Sequence, residues 1–84
     1  MSSTTCFSVH AEPSPHVMSR VFDLLARHGV LPSQCHSQHV PSRSLVIDLH
    51  LADLDGTLTQ KLHDGLRRLV EVEDVLVGAK CAPA

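Results

Sequence analysis

The segment Cys35-His36-Ser37-Gln38-His39 places one thiol and two imidazoles within five residues. Thiolate and imidazole together suit zinc or nickel. In an extended chain, Cys35 and His39 share one face and His36 points to the other. Cys35 and His39 are therefore the candidate metal ligands of a single face. A closed zinc site takes four ligands, so His10, His50 or a second copy would have to complete it. The competing reading is a polar edge strand at a contact between copies, and the pattern favours it: no metal is expected. A second constellation is His10 with Asp48 or His50, an imidazole–carboxylate pairing suited to proton transfer. It has no nucleophile and no glycine-rich oxyanion loop beside it, so no catalytic residue is assigned and the chain is not expected to be an enzyme. His16 follows Pro13-Ser14-Pro15 at the mouth of a helix, where it would touch a small effector or offer a positive charge to an anion. A charged imidazole there opposes the helix dipole, so an exposed neutral ring is the plainer expectation.

Composition narrows the remaining classes. The chain has 84 residues, the size of one domain. Its only aromatics are Phe7 and Phe22, so the core must be aliphatic, and base stacking is unavailable for gripping single-stranded nucleic acid. Net charge is −2 with histidines neutral, and no basic block exists beyond Arg67-Arg68. A surface tracking phosphates, and hence a nucleic-acid partner, is not expected. Seven histidines make surface charge sensitive to pH in the range where imidazole titrates. Cys6, Cys35 and Cys81 form no C-x-x-C pair, and an odd, widely spaced set does not resemble a disulfide framework. The residues from Met1 to Cys6 lack a basic region and an apolar stretch of signal length, and no run has the length of a membrane span. The expectation is a cytoplasmic protein with no membrane partner and thiols that stay reduced, Cys6 and Cys81 included.

The elements that position these groups follow from periodicity. Thr5 to His10 alternates Phe7 and Val9 with Ser8 and His10, a half-buried strand. Ser14 is a plausible N-cap and Pro15 suits a first helical turn, where a missing N–H is harmless. Val17, Val21, Leu24 and Leu25, with Met18 and Phe22 beside them, form one helical face. Gly29 after Arg27-His28 ends that helix. Leu31 to Val40 is assigned as a strand, Pro41-Ser42-Arg43 as a turn, and Ser44 to Leu51 as the clearest strand, with Leu45, Ile47, Leu49 and Leu51 on one face. Asp53 or Asp55 caps a second helix, whose stripe is Leu58, Leu62, Leu66, Leu69 and Val70. Val72 to Lys80 is the last strand, with Val75, Val77 and Ala79 on its apolar side. The order β-α-β-β-α-β is a split βαβ arrangement: an α+β, ferredoxin-like fold with a four-stranded antiparallel sheet and two helices on one face. One domain spans residues 5–81, with loose ends at 1–4 and 82–84. The sheet's edges and uncovered face invite a second copy.

With this order in hand, the chain resembles the ACT domain family. More narrowly, "VMSRVFDLLARHG" and "LHDGLRRLVEVEDV" are similar to the short regulatory (small) subunit of acetohydroxyacid synthase, also called acetolactate synthase, an enzyme of branched-chain amino-acid biosynthesis. Met18-Ser19-Arg20-Val21 matches that subunit's G-x-L-S-R-V pattern, and Arg27 with Gly29 matches its R-G ending, with His28 inserted. Leu66, Leu69, Val72 and Val75 keep the spacing of its L-x-K-L-x-D-V pattern. The resemblance implies a non-catalytic regulatory module that forms a homodimer and binds the catalytic subunit of that synthase. Thiamine diphosphate and flavin would belong to the partner, and this chain would carry no cofactor. It also implies an effector site at the first strand–helix loop, here Pro15, His16 and Val17 with Leu31, and a dimer interface at Gln34, His36, Gln38 and Val40. The family's loop glycine falls on His16, its preceding acidic or Asn position on Pro13, and the Asn after the first helix on Leu31. These departures point to a small subunit that supports its catalytic partner without feedback sensitivity. Two further readings remain open: a stand-alone amino-acid sensor at the same loop, and a histidine-rich metal-binding module of the same fold.

Overall fold

The computed structural model describes residues 4–40 and 44–78. The elements are β1 (Thr4–Ala11), α1 (Pro15–Arg27), β2 (Gln34–His39), β3 (Leu45–Ala52), α2 (Gly56–Arg67) and β4 (Val72–Gly78). They form one sheet in the order β2-β3-β1-β4, and every neighbouring pair is antiparallel. This is the expected α+β, ferredoxin-like arrangement.

Alternation decides which face of the sheet is covered. Phe7, Val9 and Ala11 of β1 and Leu45, Ile47, Leu49 and Leu51 of β3 are buried. They meet Val17, Val21 and Leu25 of α1 and Leu62 and Leu66 of α2 in one apolar cluster, aliphatic except for Phe7. Both helices therefore lie on the same face. The opposite face carries Ser8 and His10 of β1 beside Val46, Asp48 and His50 of β3, all half-buried and uncovered by any helix.

The ends of α1 are set by local chemistry. The Ser14 hydroxyl accepts the His16 N–H, and Pro15 opens the helix. At the other end Val30 N–H bonds Leu25 C=O and Gly29 N–H bonds Ala26 C=O, the paired pattern of a Schellman stop. Gly29 has φ +67°, a conformation that costs residues with a Cβ about 1 kcal/mol or more. For α2 the cap is Asp55, whose Oδ1 accepts the Leu58 N–H at 2.7 Å. Asp53 instead takes a left-handed turn conformation, with φ 57°.

Several sequence expectations need correction. The second strand begins at Gln34, not Leu31, because Pro32 has no N–H for a ladder. Entry into the strand is made by Ser33, whose N–H and hydroxyl both reach the His50 carbonyl. Leu31 is 88% exposed. Val70 does not extend the α2 stripe. The helix stops at Arg67, the 3.6-residue period ends with it, and Val70 is 86% exposed in the turn to β4. On β4, Val75 is buried while Val77, on the same side, is 42% exposed, one residue from the end of this edge strand. Ala79, Lys80 and Cys81 lie outside the described residues, as do the turn at 41–43 and the expected loose C-terminal end. Cys6, expected as a free thiol, is disulfide-bonded and buried on the face opposite Phe7. The expectation had rested on compartment chemistry and not on strand geometry.

Candidate effector pocket and pairing edge

The turn between β1 and α1 is held by backbone contacts. Glu12 N–H bonds Glu71 C=O, and Ser14 N–H bonds Glu12 C=O at 2.7 Å. Arg20 pairs with Glu71 at 3.1 Å, which ties the second turn of α1 to the start of β4. Pro13, Ser14 and Pro15 of this turn, with Met18 one turn further along α1, face His39 and Leu45 across a cavity of about 330 Å³. That volume is at the low end for small-molecule pockets. Its walls are mostly apolar, and Ser14 and His39 supply the polar groups.

The helix mouth beside this pocket has little to offer a carboxylate. An open helix N-terminus holds anions through unpaired amide groups. Here Pro15 has none, His16 N–H is taken by the Ser14 hydroxyl, and Val17 N–H bonds the Ser14 carbonyl. Of the residues expected to contact an effector, Pro15 lines the pocket. His16 is exposed and Val17 is fully buried in the core. Neither they nor Leu31 are among the lining residues. Met18 was recognisable as the residue beside the α1 core stripe. His39 and Leu45 reach the pocket only through the β2–β3 hairpin, which no local pattern reveals.

β2 is an edge strand, and all six of its residues are exposed. Its register pairs Gln34, His36 and Gln38 with His50, Asp48 and Val46. Val40 N–H bonds Ser44 C=O, so Val40–Ser44 is a hydrogen-bonded pair. Alternation along an antiparallel ladder then turns the backbone of Gln38 and His36 towards β3. The free edge belongs to Cys35, Ser37 and His39, whose N–H and C=O groups point outward. The four residues expected at a dimer contact thus divide by function. Gln34, His36 and Gln38 present side chains on the uncovered face next to the edge, and Val40 closes the hairpin, while the unpaired backbone lies on the alternate residues.

Cys35 and His39 do share a face, but four residues of strand separate them by about 13 Å. One metal cannot bind both within a single chain. Among the described residues no group of three or more His, Cys, Asp or Glu is placed to hold a metal ion. Partial desolvation by its neighbours pushes the thiol of Cys35, though the residue is exposed as a whole, above its ordinary range, and the Asp48 carboxylate adds to the rise. Cys35 is therefore a poor thiolate near neutral pH. On the uncovered face, His10 lies between Val46 and Asp74, and its Nε2 is 3.3 Å from the Ser8 hydroxyl oxygen. Asp48 is opposite Ser8, and His50 opposite Cys6. Among the described residues no helix is long and apolar enough to cross a membrane.

No protein-family model matches the sequence, and no curated protein does. Solved structures match in fold. The ACT domain from GTP pyrophosphokinase of Chlorobium tepidum is similar with a TM-score of 0.77 and 10% identity, over 92% of this chain and 99% of that one. The regulatory subunit of aspartate kinase from Thermus thermophilus, in its ligand-free form, gives 0.72 and 12%, over 92% of this chain and 51% of that one. A homoserine dehydrogenase from Thiobacillus denitrificans gives 0.71 and 14%, over 92% of this chain and 17% of that one. The ACT architecture expected from the sequence is thus present among the structural neighbours, and at these identities the likeness is one of fold.

Proposed function

We propose that this chain is a non-catalytic regulatory module of the ACT type that pairs with a second copy through β2 and binds the catalytic subunit of acetohydroxyacid synthase. The observation that carries the reading is the fully exposed β2 edge of an ACT-like fold, set directly beside the β1–α1 turn. An unpaired edge with outward N–H and C=O groups at Cys35, Ser37 and His39 is a template for strand addition. The narrower assignment to that synthase rests on the resemblance of the α1 and α2 segments. The occupied and missing amides at the mouth of α1 favour a module that supports its partner without amino-acid feedback. All chemistry would then lie in the partner.

The test is reconstitution. The chain is mixed with an acetohydroxyacid synthase catalytic subunit from its own host, and acetolactate formation and complex mass are measured. Higher activity with a stable complex supports the reading; unchanged activity and no complex reject it. Ser37→Pro would block edge pairing without touching the core, so a dimer of unchanged mass in this variant would reject pairing through β2.

A second reading is favoured by the pocket itself. A cavity of about 330 Å³ lined by Pro13, Pro15, Met18 and Leu45, with Ser14 and His39 as polar anchors, suits a small, partly apolar molecule. A stand-alone amino-acid sensor would show saturable thermal stabilisation by one amino acid, abolished by Met18→Trp. A metal-binding module of this fold would need ligands from two copies, given the separation of Cys35 and His39.

A further inference from the structure

Away from both the pocket and the β2 edge, the outer surface of the helix pair carries a groove of about 530 Å³. Its floor is Leu24 from α1 and Leu69 just beyond α2. The helices come close here because position 65 is glycine: a Cβ at Gly65 would stand 3.0 Å from both terminal carbons of Leu24. Around this apolar floor stand Arg27 and His28 at the end of α1, Lys61 of α2 and Arg68 at its C-cap, against one carboxylate, Asp64. Asp64 already accepts from Gln60 at 2.9 Å and lies 3.4 Å from the His63 ring nitrogen.

This charge distribution runs against the rest of the chain. Net charge is −2, yet three of the seven Lys and Arg residues line this one groove. Arg27, Lys61 and Arg68 form no ion pair among the described residues. Unpaired cations from two facing elements repel one another, and an anionic occupant would relieve that repulsion. The shape of the groove decides between occupants. Its cations are on long, exposed side chains spread along the helix pair, and no buried polar group points into it unpaired. A small-molecule site would need converging, fixed donors. An apolar floor shared by two helices, with a charged rim, is instead the anatomy of helix-in-groove recognition.

We propose that the α1–α2 groove docks an acidic amphipathic helix of a partner protein. Apolar residues at i, i+3 or i+4, and i+7 of that helix lie on Leu24 and Leu69. Lys61 and Arg68 are two turns apart, about 10.5 Å along α2, and they face carboxylates of matching spacing. The site is independent of whether β2 pairs and of which enzyme the chain regulates.

The test uses a fluorescein-labelled peptide of about 18 residues, long enough to form a helix on binding. It has a leucine stripe at helical spacing flanked by glutamates. A second peptide has the same composition without the period, and a third has lysines in place of the glutamates. Binding is read by anisotropy on the full chain. The patterned acidic peptide should bind saturably and weaken as salt rises, and the other two should bind at least about fivefold more weakly, since rim charges steer while anchors hold. The double variant Lys61→Glu/Arg68→Glu should lose about tenfold or more in affinity, each of its single reversals about threefold or more, and Arg67→Glu, which makes the same change as one single reversal but outside the groove, less than about twofold. Circular dichroism checks that each variant is folded. The proposal is overturned if the two glutamate peptides bind equally, if Arg67→Glu weakens binding as much as the double variant, or if no peptide binds. Saturable binding of inorganic phosphate with no peptide binding would make this a small-anion site. A change in the mass of the chain alone in the double variant would make it a contact between copies.

Discussion

β3 and β2 are paired over six register positions, from Leu45–His39 to His50–Gln34, and have opposite relations to solvent. Along β3 every second side chain is buried against the helices. Along β2 no side chain is. The ladder between them is continuous, so hydrogen bonding does not distinguish the two; side-chain burial does. The buried side chains that secure the fold come from β1, β3 and the helices, with Val75 of β4, and β2 adds a hydrogen-bonded ladder without a buried face. An edge strand with polar side chains on both faces is weakly stabilised by its own chain.

Breaking the comparison is easiest at its buried end. Ile47→Ala should cost about 2–4 kcal/mol in urea unfolding, because a fully buried β-branched side chain is replaced by a cavity. A loss below about 1 kcal/mol would show that β3 is not the strand that secures the sheet. Next come the junctions on the two sides. Asp55→Ala removes the charged cap of the helix following β3 and should cost about 1 kcal/mol. Gly29→Ala, on the way into β2, should cost a similar amount, about 1 kcal/mol, through backbone strain alone, since a methyl group there would meet nothing within 4 Å. At the exposed end, Ser37→Ala should change stability by less than about 0.5 kcal/mol. A larger loss in the dimer, absent in dilute monomer, would sharpen the case for pairing through this edge. The smallest expected effect is electrostatic. With Asp48 contributing to the raised Cys35 pKa, Asp48→Asn should lower that pKa and increase the thiolate fraction near pH 8. Iodoacetamide labelling of Cys35, followed by peptide mass mapping, should then run a few-fold faster. An unchanged rate would assign the shift to burial alone.

Much of the architecture was legible because it depends on period. Alternation along Thr5–His10 and Ser44–Leu51, the α1 stripe at Val17, Val21 and Leu25, and the Gly29 stop all express local geometry, and the structure reproduces them. Legibility failed where a residue's neighbours come from elsewhere in the chain. Leu31 and Val70 are apolar and fit the patterns of the neighbouring elements, but Pro32 and the end of α2 leave both in solvent. Gln34, His36 and Gln38, the residues expected at a contact between copies, turn their backbone to β3 and not to the free edge, and no local pattern shows which members of β2 bond to β3. Of Pro15, His16, Val17 and Leu31, only Pro15 lines the cavity beside this turn, and its far wall comes from the β2–β3 hairpin. Met18 is local to the turn, whereas His39 and Leu45 are more than twenty residues away in sequence.

The sequence by itself determined the order of elements, the covered face of the sheet and the ends of α1. These follow from side-chain alternation, helical period, a proline without an N–H and a glycine without a Cβ, all properties of a few consecutive residues. The tertiary structure alone decided that β2 lies at an edge with its odd-numbered residues facing outward. It also placed His39 opposite Pro15 and gathered Arg27, Lys61 and Arg68 around Leu24. Those outcomes depend on strand order, register and the close approach of two helices at Gly65, which are distances between segments remote in sequence and have no local signature to read.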